Sequence, residues 1–263
     1  MTFNTLKFEK NGRVASLVLN RAELRNAFNE QMISELTGVF KALSSMIDVS
    51  VVVLRGEGKS FCSGADLTYM QAMSKYSLEE NQRDAHLLDE MFWAFRSVPQ
   101  AVVAKLHGHV MGGALGLTAL CDVAAAVDGT QFCFSENRLG LVPAVISPYV
   151  LEKMNLGAAR RFMLTAEMFT AWQAADAGLV EFVGDDAAVN EFIDGVTATL
   201  SDNGPEAVRT AKTLFRDLAV ESNWRAKRDL TTETISLRRI SAEGQEGLKS
   251  FLEKRPPSWK SPK

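Results

Sequence analysis

The chain has 263 residues, 46% hydrophobic and 23% charged, a globular composition that excludes collagen-like, coiled-coil, disordered and disulfide-scaffold classes. That length suggests roughly one or two domains and can bury a core without staples. Lys and Arg number 29 against 32 Asp and Glu, a net charge of −3, so no footprint for nucleic acid is expected. The three cysteines, Cys62, Cys121 and Cys133, have no CxxC spacing and point to a reducing compartment. Three histidines, His86, His107 and His109, are too few to build a His-based zinc site, so no metal is expected. The longest apolar stretches, near Val49–Leu54 and Ala101–Leu106, fall far short of the ~20 residues of a membrane span. The first residues lack a charged and then apolar leader. A soluble protein of the bacterial cytosol is expected, or less simply of a mature organelle matrix, without a membrane partner.

Along the chain, Val14–Leu19 reads as a buried strand running into a polar loop. Asn29 is a helix N-cap with Glu30 in the first turn, and Ile33, Leu36, Phe40 and Leu43 recur at helical spacing. Val49–Leu54 is a second strand, ended by Arg55-Gly56-Glu57-Gly58. Leu87, Met91, Ala94 and Phe95 mark another helix, stopped at Pro99. Ala101–Leu106 and Val123–Val127 are further strands with a short helix, Ala114–Leu120, between them. His107 and His109 alternate at what reads as a strand end and are expected to share one face. Beyond Ser147 helices follow one another: Ala158–Thr165, Ala171–Ala177, Ala188–Leu200, Pro205–Val220 and Trp224–Ile240. Strands that are apolar throughout, separated by helices, predict an α/β core covered on both faces.

Two strand-to-loop transitions hold small residues where chemistry gathers in α/β sheets. Lys59-Ser60-Phe61-Cys62-Ser63-Gly64-Ala65-Asp66-Leu67 follows the second strand, and His107-Gly108-His109-Val110-Met111-Gly112-Gly113-Ala114 follows the third. Gly112-Gly113 opens a helix whose free N–H groups favour developing negative charge. Two such N–H groups aimed at one carbonyl oxygen make an oxyanion hole. Taken singly, each motif also reads as tight packing or a plain turn. Neither is a phosphate loop, and Phe61-Cys62-Ser63-Gly64 is not a nucleophile elbow.

Together, and in order, these segments resemble the crotonase (enoyl-CoA hydratase/isomerase) superfamily. Asn20–Phe28 resembles its first CoA loop, Phe61–Leu67 and His107–Ala114 its two oxyanion loops, and Gln131–Leu141 its catalytic-glutamate segment. Ala174–Val180 and Glu246–Arg255 resemble its later signatures. The resemblance implies a spiral of ββα turns over residues 1–200 and a helical trimerisation region over 201–263. It also implies a trimer or dimer of trimers and an acyl-CoA thioester substrate, with no cofactor besides the CoA that the substrate carries. By position, the oxyanion donors would be the N–H groups of Ala65 and Gly113, and the acid–base would be Glu136. Arg25, Ala27, Ala65, Asp66 and Leu67 would contact CoA, joined by Phe251 and Lys254 of a neighbouring subunit.

One departure matters. Two-glutamate hydratases of the family carry a second glutamate where this chain has Gly116. Either Gly116 merely packs the helix and a second acid comes from elsewhere, or the reaction needs one base. A hydratase working through Glu136 is the leading expectation; a Δ3,Δ2-enoyl-CoA isomerase, which needs a single base, is the alternative. A non-catalytic acyl-CoA- or RNA-binding protein is a third, opposed by the acidic balance. Gly112–Leu117, Ser135–Leu141, Pro143–Val150 and Ala65–Met70 resemble bacterial methylglutaconyl-CoA and isohexenylglutaconyl-CoA hydratases. That implies a branched, carboxylated acyl group, which Arg138 could pair with, in a pocket reached by Tyr69, His109 and Gly116.

Overall fold

The structure is a computed structural model that describes residues 3–260. The uniformly apolar runs lie in the middle of one sheet. Its six strands stand in the order β1 (Leu6–Asn11), β2 (Val14–Leu19), β3 (Val51–Gly56), β4 (Ala101–Leu106), β6 (Val123–Val127) and β9 (Phe182–Gly184). Only β1 and β2 pair antiparallel; every other neighbouring pair is parallel. Residues of β4 are buried on both faces, as expected for a parallel strand covered on two sides. A smaller sheet holds β5 (His109–Met111), β7 (Gln131–Cys133) and β8 (Phe169–Thr170), in that order.

The reading of an α/β core with a helical C-terminal part is correct. Strand β3 runs two residues later than Val49–Leu54, because pairing with β2 begins at Val14 and Val51. Strand β1 and the small sheet were not read. Leu6–Asn11 is a polar edge strand with one well-buried side chain, Leu6, and β5, β7 and β8 are only two or three residues long. Such elements carry no hydrophobic period.

Helix α1 (Glu30–Leu43) starts where Asn29 Oδ1 accepts the Met32 N–H at 2.9 Å, satisfying one of the first free amides. It buries Met32, Leu36 and Phe40. Phe40 stacks on Phe95 of α3 (Leu78–Arg96) with ring centres 4.4 Å apart. A short helix, α2 (Leu67–Met73), leads into α3, whose first turn is closed by a capping box of Ser77 and Glu80. Helix α4 (Gly113–Leu120) is almost wholly buried and packs on α3 and α5 (Ser147–Lys153). Next come α6 (Leu156–Thr165), α7 (Ala171–Asp176) and α8 (Asp186–Asp202).

Helix α8 covers one face of the sheet, burying Val189 and Ile193 against Val51, Val103 and Ala125. The opposite face carries α1, α3 and α4 and the larger core. Helices α9 (Pro205–Val220) and α10 (Trp224–Ile240) have the bounds read from sequence, and α11 (Ala242–Leu252) follows. Arg209 of α9 donates to the carbonyls of Ile47 and Val49 at 2.9 and 2.8 Å, and Lys212 pairs with Asp122 at 2.6 Å. Phe215, Trp224, Ile240, Phe251 and Leu252 of these last helices are exposed. Among the described residues, no helix is long and apolar enough to cross a membrane.

Candidate active site

The first loop is fixed by a buried asparagine. Arg25 and Asn26 both adopt left-handed backbone, at φ 51° and 56°, a conformation that asparagine tolerates better than most residues. Asn26 is fully buried. Its Nδ2 donates to Glu57 O at 2.8 Å and Ser60 O at 2.9 Å, and its Oδ1 accepts the Arg21 N–H at 2.8 Å. This side chain therefore ties the 20–28 loop to the loop after β3.

Phe28 then runs beside the Gly64–Asp66 segment as a short parallel bridge centred on Ala65. The Phe28 N–H donates to Gly64 O at 2.7 Å, and the Asp66 N–H donates to Phe28 O at 2.8 Å. In such a pairing the middle residue's own polar groups face away from the partner. The Ala65 N–H accordingly has no acceptor among the described residues.

The second loop turns at Gly112, whose φ of 52° with ψ of −125° suits glycine alone. The Gly112 N–H is used by Cys133 O at 2.9 Å. That of Gly113, the first residue of α4, has no acceptor among the described residues, as the start of a helix leaves it.

Glu136 comes to the same place from a single turn of 3-10 helix, Ser135–Leu139, which follows β7. A Cβ built on Gly112 would stand 3.3 Å from Glu136 Oε1 and 3.9 Å from Gly64 Cα. The glycines preceding Ala65 and Gly113 thus meet beside one carboxyl group. Glu136 Oε2 is buried without a hydrogen-bond partner. Burial raises the Glu136 pKa above the ordinary carboxylate value, and only its own backbone amide opposes this; no charged neighbour does. The next residue, Asn137, anchors the turn through Nδ2 to Met163 O at 2.8 Å.

The remaining predicted positions separate into groups. Asp66 is 8% exposed, and its carboxylate is occupied. It pairs with Arg21 at 2.9 Å and caps α2 through the N–H groups of Thr68 and Tyr69. Burial pushes its pKa up, but the Arg21 and amide hydrogen bonds outweigh this and hold it below the usual value. Ala27 is buried, whereas Arg25 and Leu67 are exposed. Tyr69 is half-buried and its hydroxyl donates to Asp84 of α3. Arg138 is exposed on the Glu136 turn. Phe251 and Lys254 lie at the end of α11, which packs on α9 and α10.

His107 and His109 both meet the 58–60 segment. Gly108, at φ +63°, turns the chain between them. His107 Nε2 faces Gly58 O at 3.0 Å, and His109 Nδ1 faces Ser60 Oγ at 3.4 Å. Among the described residues no cluster of three or more His, Cys, Asp or Glu could hold a metal. Cys62 is fully buried and burial pushes its thiol up to about 12, the opposite of an activated nucleophile. An open apolar groove of about 640 Å³ runs along α8 past Phe182, Phe192 and Leu200; the two loops do not line it.

Gly116 is packed tightly. A Cβ there would lie 2.5 Å from Ile146 Cγ2 and 2.7 Å from Phe92 Cε1. The place that a side chain would take is filled with hydrocarbon. Sequence reasoning missed these two residues, and also Arg21, Asn26 and Phe28 as individual contributors. Phe92 and Ile146 lie 24 and 30 positions from Gly116, and no local pattern joins them.

Two free main-chain donors beside a buried, uncompensated carboxyl group can hold a carbonyl oxygen as it gains negative charge and move a proton next to it. Residues 9–262 match the family model described as enoyl-CoA hydratase/isomerase. A solved enoyl-CoA hydratase from Shewanella pealeana is 39% identical, with a TM-score of 0.92, over 98% of this chain and 96% of its own. A solved enoyl-CoA hydratase/isomerase from Marinobacter aquaeolei is 29% identical, with a TM-score of 0.91, over 97% and 98%. The 2,3-dehydroadipyl-CoA hydratase of Escherichia coli is 28% identical over 94% of this chain and 95% of its own. With this match across nearly its whole length, the chain belongs to the enoyl-CoA hydratase/isomerase family.

Proposed function

We propose that this protein is a hydro-lyase that adds water across the double bond of an α,β-unsaturated acyl-CoA, with Glu136 as its single acid–base. The observation that carries the reading is the unpartnered Glu136 carboxyl beside Gly112 and Gly64. The thioester oxygen accepts hydrogen bonds from the N–H groups of Ala65 and Gly113. Glu136 takes a proton from water, the hydroxide oxygen bonds to C3, and the C2–C3 electron pair moves into the enolate that the two N–H groups stabilise. Glu136 then returns the proton to C2, so water is consumed and no other reactant is needed. Losing one such donor typically costs about 2.7–4 kcal/mol of transition-state stabilisation.

The CoA moiety is read as lying along Arg25, Ala27, Ala65, Asp66 and Leu67. At Asp66 that contact falls to the backbone, since its side chain is occupied by Arg21. Phe251 and Lys254 of a second subunit complete it, and the exposed apolar side chains of α9–α11 support a trimer or dimer of trimers. Residues 1–200 are read as the catalytic spiral and 201–263 as the assembly region, of which 1–2 and 261–263 lie outside the described residues. A cytoplasmic location fits the free cysteines.

The acyl group is read as branched and carboxylated. Arg138 stands on the Glu136 turn and takes part in none of the ion pairs among the described residues. The name of the Escherichia coli relative specifies an acyl chain that ends in a carboxylate. Hydration rates of Arg138→Ala on methylglutaconyl-CoA and on uncharged crotonyl-CoA test this. A loss confined to the charged substrate is expected; equal losses remove Arg138 from recognition.

The packing at Gly116 favours a second reading. With hydrocarbon at that position, a single base could instead carry a proton between C2 and C4, as a Δ3,Δ2-isomerase does. Purified protein given a 3-enoyl-CoA decides between them: a gain of thioester conjugation reports isomerisation, whereas loss of conjugation from a 2-enoyl-CoA reports hydration.

A further inference from the structure

The two donors sit on loops that follow different strands, yet an oxyanion hole demands that their separation be held to a fraction of an ångström. One residue reaches both loops. Phe28 grips the first through its own backbone, donating to Gly64 O at 2.7 Å and accepting from the Asp66 N–H at 2.8 Å, with Ala65 between them. Its ring lies against the second: a Cβ on Gly113 would be 3.2 Å from Phe28 Cε2 and 3.5 Å from Cδ2. Phe28 is 4% exposed and so is shielded from the substrate side.

Behind it, Arg21 closes the frame. Arg21 Nη1 donates to Ala27 O at 2.5 Å, and Nη2 donates to Asp66 Oδ2 at 2.9 Å. The planar guanidinium therefore links the residue before Phe28 to the residue after Ala65, a fork that lysine cannot reproduce. Phe92 Cζ lies 3.9 Å from the same Cβ position, so a second ring packs beside the start of α4.

From this we propose that Phe28 is a positioning residue that sets the distance between the Ala65 and Gly113 N–H groups, with the Arg21 fork holding Phe28 in register. The inference rests on the oxyanion reading given above. Its direct readout is the thioester carbonyl stretch of a bound, isotopically labelled acyl-CoA, which falls in frequency as hydrogen bonds to the oxygen shorten.

Infrared difference spectra of crotonyl-CoA labelled with ¹³C at the carbonyl are to be taken in the Glu136→Gln background, where turnover is blocked. Phe28→Ala is expected to lose most of the downshift. In the otherwise native enzyme it should lower kcat about tenfold to a hundredfold while KM changes less than about threefold, the pattern of an interaction made mainly in the transition state. Phe28→Met, which keeps an apolar chain of similar reach, should recover most of both. Phe28→Ala that keeps the native downshift and kcat overturns the proposal, whatever its effect on thermal stability. Should Phe28→Ala fail to fold, Arg21→Lys decides: a weakened downshift supports the frame and an unchanged one overturns it. Glu136→Gln protein with Phe28 intact that binds the thioester without any downshift refutes the oxyanion reading itself, an outcome distinct from failure of the Phe28 assignment.

Discussion

The same substitution, glycine to alanine, should have opposite effects at two helical positions of this protein. Gly38 in α1 is exposed and an added Cβ meets nothing within 4 Å. Gly38→Ala therefore gains only the lower backbone entropy of the unfolded chain, about 0.5–1 kcal/mol. Gly116 in α4 is buried, and its Cβ would stand 2.5 Å from Ile146 Cγ2 and 2.7 and 2.9 Å from Phe92 Cε1 and Cζ. Carbon atoms prefer about 3.5–4.0 Å, so both neighbours must retreat by about an ångström within a packed core. Overpacking of this kind costs about 1–3 kcal/mol, against a helix-propensity gain of about 1 kcal/mol. The net expectation is a loss of up to about 2 kcal/mol. In a chain of this size, each kcal/mol moves Tm by about 2–4 °C. Thermal unfolding monitored by circular dichroism should show Gly38→Ala a few degrees above wild type and Gly116→Ala several degrees below it. Gly116→Glu should fall further, since it buries a carboxylate among hydrocarbon, and should not raise hydratase activity. A Gly116→Ala protein that melts with or above Gly38→Ala would refute the packing argument, and with it the claim that this site has no room for a second acid.

Glu136→Gln should reduce turnover by three orders of magnitude or more, about 4 kcal/mol, while leaving the Kd for a saturated acyl-CoA, measured by calorimetry, within about threefold. Near-native kcat would remove Glu136 from the mechanism. Because burial raises the Glu136 pKa, the acid limb of kcat/KM should lie above the ordinary glutamate pKa, with activity lost as pH falls through the raised value. A limb at or below the ordinary glutamate value would contradict this. Stability follows the opposite course. The folded state binds the proton more tightly than the unfolded state, so the Glu136 contribution worsens as pH rises from the unfolded pKa through the folded one. Denaturant titrations across that window should show Glu136→Gln gaining stability relative to wild type as pH increases, and a constant difference would contradict the assigned burial.

The sequence carried the sheet where burial is two-sided. Ala101–Leu106 and Val123–Val127 have the bounds read from them, because continuous hydrophobicity leaves no other assignment. It carried little of β1, an edge strand whose outward side chains are Lys, Glu and Asn, or of β5, β7 and β8, which are held in place by pairing rather than by composition. At the candidate site the resemblance picked out Glu136 and two loops of small residues, and Gly112 lies close to both Glu136 and Gly64. What it could not supply is the support. Nothing in the spacing shows that Asn26 spans two loops, that the Asp66 carboxylate is already held by Arg21, or that His107 and His109 turn to different carbonyl and hydroxyl partners. Those facts depend on strand order, which brings residues 26, 60 and 109 side by side across more than eighty positions of chain.

A site built from main-chain donors also explains why its specificity must lie elsewhere. On the proposed mechanism, the Ala65 and Gly113 N–H groups would serve any thioester carbonyl, and Glu136 would move protons irrespective of what lies beyond C3. Discrimination therefore falls to side chains around the cleft. At Gly116 the surroundings are core hydrocarbon, Phe92 and Ile146, and offer a charged group no partner. On the Glu136 turn the exposed Arg138 offers the reverse preference. A double-mutant cycle between Arg138→Ala and removal of the substrate's carboxylate isolates that preference. A coupling energy above about 1 kcal/mol places the charge at Arg138, and additivity within about 0.5 kcal/mol places it outside the reach of this side chain.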